Sequence, residues 1–307
     1  MLTHIFFDVI EINIAASLLI VLMSLLMPRL DKSHRMGWRK VLWIAIGIRM
    51  LIPYNFSWDS YALHLFSFSG EWKLPGVVEI STAVLVSITW ALGLIFCLRH
   101  RYLCYKRFLK QIVENSRLSY DEKELTILEE VMADIGIKRE VMLYRCPLIF
   151  TPMVVSVLDP MLLLPEEEYS EEQLRMIFRH EGMHIDNLDI VYKTVMMVVE
   201  AIHWFNPFIH KMVKESYRDL ELFCDYCVIE DMSKEERGNY GRTILDAAAK
   251  QQGTDIVFST CFYGNAGMMK QRMEHLFYAD NRKKGTFHLI AFCMLFIILS
   301  MFIKCGI

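Results

Sequence analysis

Apolar residues along this chain gather into four blocks, at about residues 5–27, 41–56, 77–98 and 286–303, with polar sequence between them. The first, third and fourth approach the ~20 residues that an α-helix needs to cross a bilayer. The second is shorter and carries Arg49, a charge that is costly inside a membrane unless it is paired or reaches the interface. Between the third and fourth blocks the pattern becomes that of an ordinary polar domain. Residues 121–134 place apolar positions at helical spacing and stop before Gly136, a helix-ending residue. Short apolar runs from Val141 to Tyr144, Met153 to Leu158 and Met161 to Leu164 read as strands. Pro147, Pro152, Pro160 and Pro165 punctuate them, which suits a small sheet with a free edge. Ser170-Glu171-Glu172-Gln173 reads as a capping box that opens another helix. From Asn187 the chain is apolar and helical to about Phe205. It turns at Asn206-Pro207, with Pro207 suited to the first turn of a returning helix that holds Arg218 to Asp225.

Composition adds weight to the membrane reading. Hydrophobic residues make up 54% of the 307 and charged residues 22%, against an apolar share of about 45–50% in soluble domains. The net charge of −3 averages over three basic clusters and says nothing about partners. One cluster holds Arg29, Lys32, Arg35, Arg39 and Lys40; the next holds Arg99, Arg101, Lys106, Arg107 and Lys110; the last holds Arg282, Lys283 and Lys284. Lys and Arg mark the cytoplasmic side, and all three clusters lie there if the chain has four spans and both termini outside the cell. The first block lacks a positively charged start and a small-residue cleavage site, so it reads as a retained anchor. The expected fold is a mainly α membrane protein, with four transmembrane helices and a cytoplasmic α+β domain containing a small sheet. The expected boundaries are 1–98 for the first three spans, 99–284 for the cytoplasmic domain, and 285–307 for the fourth span with a short extracellular tail. The eight cysteines fall mostly in the cytoplasmic or membrane segments, which argues against a disulfide framework. Cys224-x-x-Cys227 is a lone pair on a helix and reads as small packing residues.

The chemistry sits on the capped helix. His180-Glu181-Gly182-Met183-His184 fits H-E-x-x-H. Residues four apart share a helix face, so both imidazoles can converge on one ion, with Glu181 beside it to hold a water. The bland alternative is a pair of packed or solvated histidines; the defined helix start and the intervening Glu181 favour a metal. Catalytic zinc takes three protein ligands and leaves one position open. No third histidine follows closely, since Asn187 and Ile190 occupy the places of a metzincin-type extension. A carboxylate on the returning helix is the remaining source. Glu221 and Asp225 lie four apart on one face of it, and a hairpin with a bent first arm brings Glu221 back near His184. Glu221 is then the third ligand, with Asp225 orienting a histidine and Asp189 in a similar or structural role. Taken alone, both carboxylates would read as solvated charges with Arg218 as a helix partner. The group that stabilises the oxyanion is open among His203, His210, Tyr263 and Arg218.

These residues together resemble the BlaR/MecR family of integral-membrane zinc metallopeptidases, and more distantly the Ste24/HtpX group. The resemblance rests on His180-Glu181-Gly182-Met183-His184-Ile185 with Asp189, on Trp204-Phe205-Asn206-Pro207, on Glu221-Leu222-Phe223-Cys224-Asp225, and on the strand pair from Thr151 to Pro165. It implies a gluzincin-type peptidase domain and a zinc ion. It implies a cytoplasmic protein substrate, a DNA-binding repressor in that family, with no direct contact to nucleic acid by this chain. It also implies self-cleavage, for which the basic stretch from Asn281 to Lys284 is the candidate site. The family's extracellular sensor carries a serine in S-x-x-K, which this sequence does not contain; Ser300 and Lys304 are spaced wrongly. The function expected is a regulatory, membrane-embedded zinc endopeptidase. The rival is a catalytically silent membrane scaffold that keeps the zinc fold, and an intact Glu181 argues against it.

Overall fold

The computed structural model describes residues 2–30, 37–52, 63–67, 71–74, 77–250, 266–277 and 286–306. They form two compact units, one from 1–101, 194–219 and 282–307, the other from 102–193 and 220–281. Residues 194–219 therefore group with the first unit rather than with the rest of 99–284.

The first unit opens with α1 (Leu2–Leu30) and α2 (Gly37–Leu51). Strands β1 (Leu63–Ser67), β2 (Glu71–Leu74) and β3 (Val77–Ser81) follow, then α3 (Thr82–Asn115). By length and composition α1 and α3 are able to cross a membrane. The helix α2, of 15 residues, rises about 22 Å at 1.5 Å per residue, less than the ~30 Å hydrocarbon core. At its end Arg49 Nη1 donates to the carbonyl of Ile52, 3.1 Å away. The unit is built on apolar packing, with Ile12, Leu19 and Met23 of α1 and Leu42, Ile46 and Met50 of α2 buried. It also buries charge. Arg39, counted above among the basic loop residues, is 1% exposed and sits 2.7 Å from Asp219, which is fully buried. Trp43 Nε1 donates to the same carboxylate oxygen of Asp219 at 2.7 Å.

The second unit carries the sheet. β4 (Arg117–Leu118), β5 (Met142–Arg145), β6 (Met153–Val155) and β7 (Met161–Leu164) run in the order β4-β5-β7-β6, with β5 and β7 parallel and the outer pairs antiparallel. β7 is inner and covered on both faces, which explains its unbroken apolar run. Leu162 and Leu164 pack with α4 (Glu122–Ile135) and α5 (Glu171–Asp186), while Leu163 packs with Ile112, Cys146 and Met153 on the other face. Asp121 caps α4 through the amides of Lys123 and Glu124, and Gly136, at φ +91°, ends it in the left-handed region where a side chain would be strained. The capping box of Ser170 and Gln173 starts α5.

The chain continues through α6 (Asp189–Ile202) and α7 (Pro207–Ile229) to α8 (Lys234–Lys250) and α9 (Ala266–Phe277). Met176 of α5, Val228 and Ile229 of α7, Tyr240 and Ile244 of α8 and Leu276 of α9 form a second core of this unit. The first unit closes with α10 (Thr286–Phe302), an apolar helix of 17 residues, and β8 (Ile303–Gly306), which pairs in parallel with β1.

Candidate metal centre

The ligand helix is seated closely. A Cβ on Gly182 would lie 2.6 Å from Cδ1 of Ile135 and 2.9 Å from Cε of Met132. The glycine inside H-E-x-x-H thus lets α5 approach α4, and the histidines face the opposite way. Their rings stand edge to face, centroids 4.8 Å apart. His180, Glu181 and Glu221 are each 5–6% exposed. Oε2 of Glu221 lies 3.8 Å from Nε2 of His180 and 3.6 Å from Nε2 of His184. Two donors on one tetrahedral zinc stand about 3.3 Å apart, given metal–ligand bonds of ~2.0–2.1 Å. Oε2 of Glu221 is buried, and no described group hydrogen-bonds to it. A carboxylate oxygen facing two imidazole nitrogens at these separations leaves room for an ion, and the nitrogen and oxygen donors are those zinc accepts.

Each histidine is held from behind. The α5 helix ends at Asn187, and Leu188 takes a left-handed conformation, φ 53°. On a continuous helix residue 189 would stand about 140° around from residue 184. The break returns Asp189 toward the ligand helix, and its Oδ2 accepts a hydrogen bond from Nδ1–H of His184 at 2.6 Å. That bond leaves Nε2 of His184 free to ligate.

His180 is held by a longer chain. Arg272 of α9 grips Asp225 with two donors, Nε to Oδ2 at 2.6 Å and Nη2 to Oδ1 at 2.7 Å. The hydroxyl of Tyr240 lies 2.7 Å from Oδ1 of Asp225 and 2.8 Å from Nδ1 of His180. Asp225 itself stands 3.6 Å from that nitrogen, so it reaches His180 through the hydroxyl of Tyr240. Sequence reasoning passed over Tyr240 and Arg272, because an isolated tyrosine and arginine on polar helices carry no spacing signal. It also passed over Lys193, whose Nζ is 3.4 Å from Oε1 of Glu221.

Cys224, read above as packing, is buried and adjoins the cluster. Its Sγ lies 3.5 Å from Nδ1 of His180 and 3.4 Å from that residue's carbonyl oxygen. His180, His184 and Cys224 offer ligand atoms within 4.8 Å of one another, so the thiol is a second source of a third donor. It faces the ring nitrogen that Tyr240 occupies, whereas Glu221 faces Nε2 of both rings.

The electrostatics suit a cation. Burial opposes a charged His180 ring, yet Cys224 and Glu221 outweigh it and raise its pKa to about 10. Burial likewise works against a charged His184, and Cys224, Glu221 and Asp189 lift it well above 6.5. Burial would raise Glu221, but His184, Lys193 and His180 hold it well below 4.5.

Glu181 is buried beside His180 and makes no side-chain hydrogen bond or ion pair among the described residues. Of the oxyanion candidates, three belong to the first unit and are engaged there. His203 bonds to Asn13 through Nδ1 at 2.6 Å and to the carbonyl of Met50 through Nε2 at 3.3 Å. His210 bonds to Glu200 at 2.8 Å and to the carbonyl of Trp204 at 2.9 Å. Arg218 pairs with Glu215 at 2.5 Å and Asp219 at 3.1 Å. Tyr263 lies outside the described residues, as does the stretch from Asn281 to Lys284.

Residues 7–276 match the family described as BlaR1 peptidase M56, and the chain belongs to that family. It is similar to the regulatory protein BlaR1 of Bacillus licheniformis, with 24% identity over 53% of this chain and 28% of the relative. It is similar to the methicillin resistance mecR1 protein of Staphylococcus aureus strain Mu50, with 23% identity over 65% of this chain and 34% of that protein. With the BlaR1 of Staphylococcus aureus the identity is 21% over 81% of this chain and 40% of the relative. The aligned part is thus under half the length of each relative.

Proposed function

We propose that this member of the BlaR1 peptidase M56 family is a regulatory zinc endopeptidase embedded in the cell membrane. His180, His184 and Glu221 hold the zinc, and Glu181 is the general base. The observation that carries this reading is the buried Oε2 of Glu221, turned toward Nε2 of both histidines at 3.6 and 3.8 Å. When bound, zinc supplies a Lewis acid and an acidified water. Glu181 would hold a water at this site, take its proton and deliver it to the leaving amine. Asp189 and Tyr240 keep the two rings turned so that Nε2 faces inward. Strand β6 lies at the edge of its sheet, where an extended substrate adds as a further strand through backbone hydrogen bonds.

The topology that accompanies this reading has four spans. The peptidase domain and the three basic clusters lie in the cytoplasm, and both termini lie outside. The substrate is a cytoplasmic protein, with a DNA-binding repressor and the chain's own stretch from Asn281 to Lys284 as the two candidates.

The test compares the wild type with Glu181→Gln in cells, scoring cleaved proteins and fragments of the chain itself. Loss of cleavage by about 10²–10⁴-fold with zinc retained is the expected result. Identical fragments from both would remove the catalytic assignment.

A further inference from the structure

Arg272 lies on α9, a helix with no part in the H-E-x-x-H motif or the returning ligand helix, yet it is fully buried against Asp225. Its two donors engage both carboxylate oxygens, so Asp225 is an acceptor in both bonds. The Tyr240 hydroxyl donates to Oδ1 of the same carboxylate at 2.7 Å. The tyrosine oxygen is then left to accept, and the group within reach is Nδ1–H of His180, 2.8 Å away. With one proton kept on Nδ1 in this way, Nε2 is the nitrogen that the His180 ring offers to an ion once its own proton is displaced. If Asp225 were not held as an acceptor, the Tyr240 proton would be free to point at Nδ1. The ring proton would then sit on Nε2, where it blocks ligation.

We propose that Arg272 is a positioning residue of the metal centre, setting the ligating orientation of His180 through Asp225 and Tyr240. The inference rests on the zinc reading above and adds a condition to it. The centre is complete only when α9 is seated, and α9 is the last helix of its unit before the chain passes to α10.

The test measures zinc affinity of the full-length chain in detergent by competition with a chelator. Wild type and His184→Ala identify the centre, since the alanine variant loses the zinc. In Arg272→Met the affinity falls about 10–100-fold, the range seen when a group bracing a ligand is removed. Tyr240→Phe falls as far, and the double variant Arg272→Met/Tyr240→Phe falls no further than Tyr240→Phe, because both cut one chain. A buried charge left unpaired can also unfold the protein, so Asp225→Leu/Arg272→Met removes both charges. Its melting temperature returns toward wild type while its zinc affinity stays low. Wild-type affinity in Arg272→Met or in the Asp225→Leu/Arg272→Met chain, or additive losses in the tyrosine pair, overturn the inference alone. A wild type that binds no zinc, or His184→Ala binding as well as wild type, overturns the zinc reading and the inference with it.

Discussion

Asp189 reaches across a helix break to bond Nδ1 of His184 at 2.6 Å, and the break depends on Leu188 in a left-handed conformation. On the zinc reading, the carboxylate selects the ring tautomer that leaves Nε2 to the metal. Asp189→Ala is expected to weaken zinc binding about 10–100-fold without preventing folding. Chelator competition on the purified chain measures this, and unchanged affinity would show that His184 needs no brace.

Gly182 allows the ligand helix to sit against Met132 and Ile135. In Gly182→Ala the new methyl group meets the ends of two flexible side chains, which shift instead of the backbone. Overpacking of this kind costs about 1–3 kcal/mol. A lowered melting temperature is expected; a melting temperature equal to wild type would contradict the contact.

The Arg39–Asp219 pair is buried on both sides, with Trp43 donating to the same carboxylate. Arg39→Met leaves Asp219 with less compensation and is expected to destabilise the protein by about 3–5 kcal/mol. Arg39→Met/Asp219→Leu, which removes both charges, should recover most of that loss. Thermal melts in detergent decide, and a double variant as unstable as the single would show that the pair is not the cause.

Acidity acts on the metal-free cluster from two sides. His180 is raised from 6.5 to about 10, so its stabilising contribution is complete below pH 6.5 and disappears as pH rises through about 10. Glu221 is held below 4.5, so its contribution is complete above pH 4.5 and is lost on further acidification. The metal-free chain should melt highest between pH 4.5 and 6.5. Zinc must displace the ring protons, so its affinity should climb with pH above 6.5. A melting temperature that rises steadily to pH 9 would count against the cluster's protonation.

Much of the peptidase unit could be read from local rules. Helix starts at Asp121 and Ser170 follow from side chains that cap backbone amides, and the stop at Gly136 from its left-handed φ. The shared face of His180 and His184 follows from helical spacing. What escaped the sequence depended on long-range packing. Tyr240 and Arg272 resemble ordinary surface residues on their own helices, and only the fold buries them against Asp225. Arg39 looked like one basic loop residue among several until Asp219 met it. The segments expected to span a membrane were the reverse case. Their apolar blocks were plain, but α2 and α10 end as helices of 15 and 17 residues, because hydrophobic length alone does not decide where a helix stops.

The helix break between α5 and α6 also divides the centre by distance along the chain. Ten residues, His180 to Asp189, contain both histidines, Glu181 and the carboxylate that bonds His184, and closing so short a stretch costs little chain entropy. Glu221 comes 37 residues after His184 and arrives only once the intervening hairpin has folded out and back. A cation bound by all three is therefore a clasp on that hairpin, and its binding free energy adds to the stability of the folded chain. A half-formed centre of two histidines would hold the ion weakly, so retention of zinc reports that the far carboxylate has come home.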